Sequence, residues 1–293
     1  MDVAVVGATG VLGRNLVPLL VARGYGVRAL ARHMEKAHSL FPPQVECQPF
    51  DLLADDALER LDELLRGCGA VVHAATVIPA DPTAPDAAEK WAITARLRTE
   101  GVQRLLNAAV YNGAEIYVQQ SISMAYPDCG EAWISEDMRL EAPGARPGSN
   151  APVIAEMERM VRGMSDRLRW TILRFGSFVG PDTRQDADIS RLRSGTLRVP
   201  CDGRNYVSLV HVADAAQAVA MAIARAPAGE TYNVCAEPLR NGEYYDRLAE
   251  AIGVAHPLRD PSAPCPPSWR CSSARIQRDL GWRPAHEVVP AHT

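Results

Sequence analysis

Beyond Lys90 the 293-residue chain contains no lysine, so the larger part of it has no ammonium side chain to offer a ligand or a reaction. No apolar run reaches membrane-spanning length. Met1 leads straight into a strand-like segment, so no signal peptide and no membrane partner are expected, and the expected compartment is cytoplasmic. A net charge of −4 and a pI near 6.0 leave no global basic surface, which argues against nucleic acid as a partner. The seven cysteines are odd in number and none stands in a Cys-x-x-Cys pair, so neither a disulfide framework nor a metal site is expected. Cys201 reads as a small buried hydrophobe, or as a lining residue of a substrate pocket. No internal repeat is present. Hydrophobic residues at 47% and charged ones at 23% are ordinary for a globular protein, and the length suits one large α/β domain with a small appendage.

What is present begins at residue 3. Val3-Ala4-Val5-Val6 is the short apolar run of a strand covered on both faces, and Gly7-Ala8-Thr9-Gly10-Val11-Leu12-Gly13 follows it. Gly7 suits the tight turn, Gly10 lets backbone approach a pyrophosphate, and Gly13 lets a helix lie close on the strand. Leu12, Leu16, Leu19 and Leu20 give that helix an apolar face, Pro18 strains it, Gly24 ends it, and Val27 to Leu30 supplies a second strand. The free N–H groups at the helix start would face phosphates. The second strand ends in Ala31, not the carboxylate that bonds a ribose 2′-hydroxyl, and Arg32 beside it suits a 2′-phosphate, with Arg28 and His33 adding positive charge. NADP(H) is therefore expected in preference to NAD(H).

The Gly-x-x-Gly-x-x-Gly spacing resembles the short-chain dehydrogenase/reductase superfamily. Leu173-Arg174-Phe175-Gly176-Ser177-Phe178-Val179-Gly180-Pro181, Val210-His211-Val212-Ala213-Asp214 and Leu280-Gly281-Trp282-Arg283-Pro284 resemble its extended, NAD-dependent epimerase/dehydratase-like branch. The resemblance implies an α/β Rossmann fold, a doubly wound parallel sheet with a small C-terminal substrate-binding lobe. Residues 1–175 and 205–235 would form the dinucleotide domain, and 176–204 with 236–293 the substrate-side lobe. Thr9, Val11, Leu12, Asp51, Leu52, Ala74, Ala75, Phe175 and Ser177 then join Gly7, Gly10, Gly13 and Arg32 as expected cofactor residues. Helices from about Ala87 to Ala109 and Pro152 to Gly163 would pair in a homodimer, if the chain is not a monomer. Further helical pieces are expected at about Ile189 to Ser194, at His211 to Ala224 and, last, near Glu243 to Ile252. Two proline- and glycine-rich loops, Pro79 to Pro85 and Pro143 to Gly148, are expected beside a ligand.

The family's Tyr-x-x-x-Lys pair is missing: its positions fall on Asn150 and Ile154. Tyrosine alone titrates near ~10 and is a poor acid at neutral pH. Ser121 and Ser123 remain as groups that bond a substrate oxygen, and Tyr126 and Asn150 complete the expected catalytic set. His73 reads as a core histidine or a base. Arg98 occupies a position the family often fills with asparagine, Glu136 and Asp137 fall in a commonly solvated loop that borders the pocket, and His211 and Asp214 read as helix-start structure. Two functions are open. One is an NADP(H) enzyme acting on a small organic substrate, a secondary metabolite among the candidates, by non-standard carbonyl or alkene reduction or by a non-redox cyclisation, dehydration or isomerisation. The other is a non-catalytic NADP(H)-binding redox sensor.

Overall fold

A computed structural model of the chain describes residues 1–79, 84–146 and 148–291. Val3, Ala4, Val5 and Val6 are all buried, as a strand apolar on both faces requires. The strand they form, β1 (Asp2–Val6), pairs in parallel with β2 (Gly26–Ala31) on one side and β4 (Cys68–His73) on the other. With β3 (Glu46–Pro49), β5 (Ile116–Ile122), β6 (Arg169–Phe175) and β7 (Glu230–Val234) they make a seven-stranded sheet in the order β7-β6-β5-β4-β1-β2-β3. The order reverses between β1 and β4. Open α/β sheets hold ligands at such a switch point, outside the carboxyl ends of the strands.

The chain divides into two compact units. The first comprises Met1–Ser121, Pro152–Leu173 and Ala216–Thr231. In it α1 (Val11–Ala22) runs on through Pro18, α2 (Met34–Leu40) follows β2, and α3 (Ala57–Leu64) precedes β4. The long helix expected from Ala87 is two α-helices, α4 (Ala87–Arg96) and α5 (Val102–Tyr111), joined by a π-helical turn over Leu97–Gly101. Such a turn carries an extra residue and is characteristic of functional positions. The helix of the expected Tyr-x-x-x-Lys pair is α6 (Ala151–Arg162).

The second unit comprises Ile122–Ala151, Arg174–Ala215 and Tyr232–Thr293. Its helices Arg184–Arg193 and Asn241–Ala251 contribute Leu192, Tyr244 and Leu248 to a core shared with Val199 and Leu209. The helix over Asn241–Ala251 is not the last, because Ala274–Leu280 forms another, seven residues long and ended by Gly281 in the left-handed region. Asp214 is more than a helix-start residue. Its carboxylate accepts the N–H groups of Ala285 and His286 and contacts the His286 ring at 2.8 Å, while the His286 ring stacks on that of His211. Contrary to the expectation from cysteine spacing, Cys201 is not a free buried hydrophobe: a disulfide joins it to Cys265, 64 residues away, a pairing that sequence cannot foresee. Among the described residues no group of acids, histidines or cysteines could hold a metal, and no helix is long and apolar enough to cross a membrane. Of the two loops expected beside a ligand, residues 80–83 and Pro147 lie outside the described residues.

Candidate active site

The turn after β1 shows why glycine stands where it does. Gly7 has φ +86°, and a Cβ on it would lie 2.6 Å from the Ala75 backbone nitrogen, so β1 and the exit of β4 can close on each other only there. A Cβ on Gly13 would lie 2.4 Å from the carbonyl oxygens of Gly7 and Ala8, which fixes α1 tightly against the turn. Gly10 has freer surroundings. It is the N-cap of α1, makes no side-chain cap bond, and no acidic residue follows it in the first turn. The helix start therefore keeps its N–H groups and its positive dipole end for an anion.

A cavity of about 490 Å³ opens at this point, wholly within the first unit. Gly7, Thr9, Gly10, Arg32, Asp51, Leu52, Ala74 and Ala75 line it together, so these eight positions, scattered over the first quarter of the chain, meet in one place. Val11, Leu12 and Gly13 are absent from its wall and form the first turn of α1, with Leu12 in the core. Sequence reasoning missed Lys36, which lines the cavity from α2, and Leu97, which lines it from the π-helical turn. It also misplaced Arg28. That guanidinium bonds the Glu46 carboxylate at 2.9 Å and the Leu64 carbonyl at 2.6 Å, and does not line the cavity. The cationic groups of its wall near the end of β2 are instead Arg32 and Lys36, both exposed, beside Ala31 where a carboxylate would repel a phosphate, while Arg96, also in the wall, is paired with Glu100. A free helix start, a glycine turn and a cationic rim at the end of β2 fit the pyrophosphate and ribose end of a dinucleotide.

The expected catalytic residues divide between the units. In the first, Ser121 is buried and its hydroxyl donates to Glu158 Oε1 at 2.8 Å, while Arg162 bonds the other oxygen. Ile154, at the expected lysine position, is fully buried on α6. Further polar groups are buried at the ends of β4 and β5. His73 Nδ1 lies 3.1 Å from Gln119 Oε1, which also accepts from the Tyr117 hydroxyl, while Gln119 Nε2 donates to the Gln120 carbonyl. An amide oxygen only accepts, so Nδ1 carries the proton and Nε2 is an acceptor. That Nε2 is buried with no partner among the described residues. Burial pushes the His73 pKa down to about 4, so the ring is neutral at ordinary pH.

In the second unit Tyr126 is fully buried. Its hydroxyl donates to Asn233 Oδ1 at 2.9 Å and accepts from Arg174 at 2.6 Å, and burial drives its pKa well above that of an ordinary phenol. Glu136, expected to be solvated, is buried as well. It accepts the Asn233 N–H at 2.8 Å, and burial raises its pKa, whereas Asp137 is exposed and bonds Arg275. The Ser123 hydroxyl meets the Met124 sulfur at 3.7 Å, and that of Ser177 meets the same sulfur at 3.8 Å. Phe175 is buried against Phe178. Asn150 is half-buried, directly before α6.

Comparison with known proteins agrees with this architecture. The dTDP-glucose 4,6-dehydratase DesIV of Streptomyces venezuelae, solved with NAD bound, superposes with a TM-score of 0.83 at 22% identity over 98% of this chain and 93% of that one. At the level of sequence, a 3-diazoavenalumate denitrifying reductase of a Streptomyces species is 33% identical over 308 residues, 98% of this chain and 97% of that protein. A 4-hydroxy-2-methyl-3-oxo-4-farnesyl-3,4-dihydroquinoline-1-oxide ketoreductase of Stigmatella aurantiaca is 30% identical over 87% of this chain and 74% of that protein. The model of the NAD dependent epimerase/dehydratase family matches residues 3–235, which take in all seven strands of the sheet apart from Asp2, and the chain belongs to that family.

Proposed function

We propose that the protein is an NADP(H)-dependent reductase of a small organic substrate that needs no proton from the enzyme, and that this substrate is a diazo compound reduced with loss of dinitrogen. The observation that carries this reading is the apolar, fully buried Ile154 on α6, in a chain whose dinucleotide turn is intact. Reducing a ketone leaves an alkoxide that must be protonated, which is the work of a tyrosine held acidic by a neighbouring cation. Neither expected position here offers an acid. An aryl diazonium ion differs: a C–H bond forms at the ring carbon, the C–N bond breaks, its electron pair leaves with N2, and no proton is taken up. The relative at 33% identity acts, by its name, on a diazo carboxylate and removes nitrogen from it.

When bound, a reduced nicotinamide would supply the hydride. The chain's own part is to hold and to orient. The α1 start and the Gly7–Gly13 turn would take the pyrophosphate, and Arg32 with Lys36 the 2′-phosphate. Asn150 and Ser123, both of the second unit, would hold a substrate oxygen by hydrogen bonding, whereas the Ser121 hydroxyl is committed to Glu158. Tyr126, its hydroxyl committed to Arg174 and Asn233, would serve as a wall and not as an acid.

The test is to supply a stable aryl diazonium salt with NADPH deuterated at the nicotinamide C4, and to follow cofactor oxidation and the isotope in the arene. Deuterium at the carbon that carried nitrogen, at a rate well above a protein-free control, is expected. Faster turnover of simple ketones than of the diazonium salt would overturn the reading, and tight NADPH binding with no turnover of either would favour a redox sensor.

A further inference from the structure

Trp133 keeps 46% of its surface exposed, yet the second unit fixes its pose. The two-residue strands Trp133–Ile134 and Arg270–Cys271 pair in parallel with Arg270 opposite Trp133, and residues so paired put their side chains on one face. The Arg270 guanidinium accordingly lies over the indole, 4.1 Å from the ring centre. A second strand pair, Tyr206–Val207 with Leu239–Arg240, sets Arg240 over the Tyr206 ring in the same way, also at 4.1 Å. The Trp269 N–H donates to the Tyr206 carbonyl and ties the two pairs together, so that Arg270 lies 4.7 Å from the Tyr206 ring as well. Trp133, Arg270, Tyr206 and Arg240 thus form a stack in which ring and cation alternate. Arg240, at one end, is closed off by both oxygens of Glu131, at 2.7 and 2.6 Å. At the other end, among the described residues, no ring and no cation besides Arg270 lies on the indole.

That open end lines a cavity of about 460 Å³, a volume usual for a small-molecule site. Every wall residue belongs to the second unit, and none is shared with the dinucleotide cavity. Arg283 and Glu237 stand in this wall, both exposed, and among the described residues neither has a hydrogen bond or an ion pair, with each other included. Two opposite charges that line one cavity without meeting suit a ligand that carries both. The stack narrows the choice further. A cation already lies on one face of the indole, so the other face has less attraction left for a second cation and favours the offset stacking of a neutral ring.

We propose that this cavity binds an aromatic α-amino acid. Its ring stacks on Trp133, the Arg283 guanidinium donates to its carboxylate, and Glu237 accepts from its ammonium group. The proposal stands apart from the reductase reading, and binding without turnover tests it. The probe is L-phenylalanine, compared by calorimetry with 3-phenylpropionate, which lacks the ammonium group, and with phenethylamine, which lacks the carboxylate, all in the full chain saturated with NADPH. L-Phenylalanine is expected to bind about threefold or more tightly than either, the scale of one charged contact at an exposed site. Trp133→Ala should weaken it about tenfold and Trp133→Phe much less. Arg283→Met should remove its advantage over phenethylamine and leave phenethylamine itself unchanged. Glu237→Gln should do the same with respect to 3-phenylpropionate. Both charged side chains are exposed and unbonded, so these two variants should keep the wild-type Tm and carry the test even if Trp133→Ala fails to fold.

No binding of L-phenylalanine up to about 10 mM would overturn the proposal, and so would equal binding of all three probes. Binding that appears only when NADPH is left out would assign the amino acid to the dinucleotide cavity and overturn it as well. Wild-type affinity in a folded Trp133→Ala would remove the stacking contact on which the argument turns. Probe ratios unchanged in both Arg283→Met and Glu237→Gln would equally defeat it, because the ring would then be held without the two charges.

Discussion

Two arginines of this protein are buried to the same depth, Arg174 at 3% exposure in the second unit and Arg98 at 4% in the first, and their surroundings treat them in opposite ways. Arg174 bonds the Tyr126 hydroxyl and the Glu136 carbonyl and stacks 4.9 Å from the Tyr126 ring, in a network that Asn233 closes. Arg98 has no such company. Equal burial therefore does not mean equal purpose. A cation bonded inside the fold helps to hold it together, whereas one with no bond among the described residues keeps its donors open. The same contrast extends to neighbouring groups. Tyr126, Asn233 and Glu136 in the second unit bond one another, while the His73 Nε2, the α1 start and the Arg32–Lys36 rim of the first unit leave their bonding capacity free.

The sharpest way to break this contrast is to remove the partnered cation. Arg174→Met should cost about 3–5 kcal/mol of stability in denaturant unfolding, since it strands a buried tyrosine hydroxyl and leaves the Glu136 carbonyl short of a donor. A loss no larger than that of Arg98→Met would erase the distinction. Next in size is the cross-link of the second unit. Breaking Cys201–Cys265 by Cys201→Ser removes a constraint on a 64-residue span and should cost about 2–4 kcal/mol, with NADPH binding unaffected. Denaturation of the variant beside the oxidised wild type, together with a cofactor titration, measures both. On the open side, Arg32→Ala should weaken NADPH by about 1.5–3 kcal/mol and leave NADH nearly untouched, and calorimetry with the two cofactors reads the difference.

The last contrast appears only as a slope, the pH response of His73. Its folded pKa of about 4 lies below the ordinary 6.5, so as pH falls through 6.5 the unfolded chain takes up a proton that the folded ring refuses. His73 therefore contributes to the stability in full above that pH and progressively loses its contribution down to about pH 4. His73→Gln should flatten the curve in that window by up to one proton, about 1.4 kcal/mol per pH unit. Equal slopes for the two proteins would show that the ring is not held neutral.

The parts of the fold that the sequence announces are those set by local chemistry. Val3 to Val6, the spaced glycines and the apolar face of α1 announce β1, the turn and the helix, because each depends on residues within one turn of one another. Arg32, Asp51 and Ala74 were legible as cavity residues through a family pattern that repeats at strand ends. What escaped depends on distance. The His73–Gln119 bond spans 46 residues and follows from the register of β4 on β5, which no spacing reveals. Lys36 reaches the cavity only because α2 starts directly after β2. Asp137 and Glu136 are adjacent, yet one is solvated and the other buried, a difference set by Asn233 far along the chain. The π-helical turn left no mark in the periodicity, because Leu97 and Leu105 fit an unbroken helix almost as well.

That turn gives the protein an unusual genetic handle. Substitutions change what a side chain is, but the extra residue in Leu97–Gly101 decides which way the side chains within that turn point. A π-helical turn takes up its extra residue within one turn, so deleting one residue there would restore an unbroken helix, with α4 and α5 in their present phase and only the side chains of the turn redirected. Leu97 would leave the cavity wall and Arg98 the interior together. The lineage that produced this chain could thus have gained or lost the buried cation through a single codon insertion or deletion, a step that tables of point substitutions would not record.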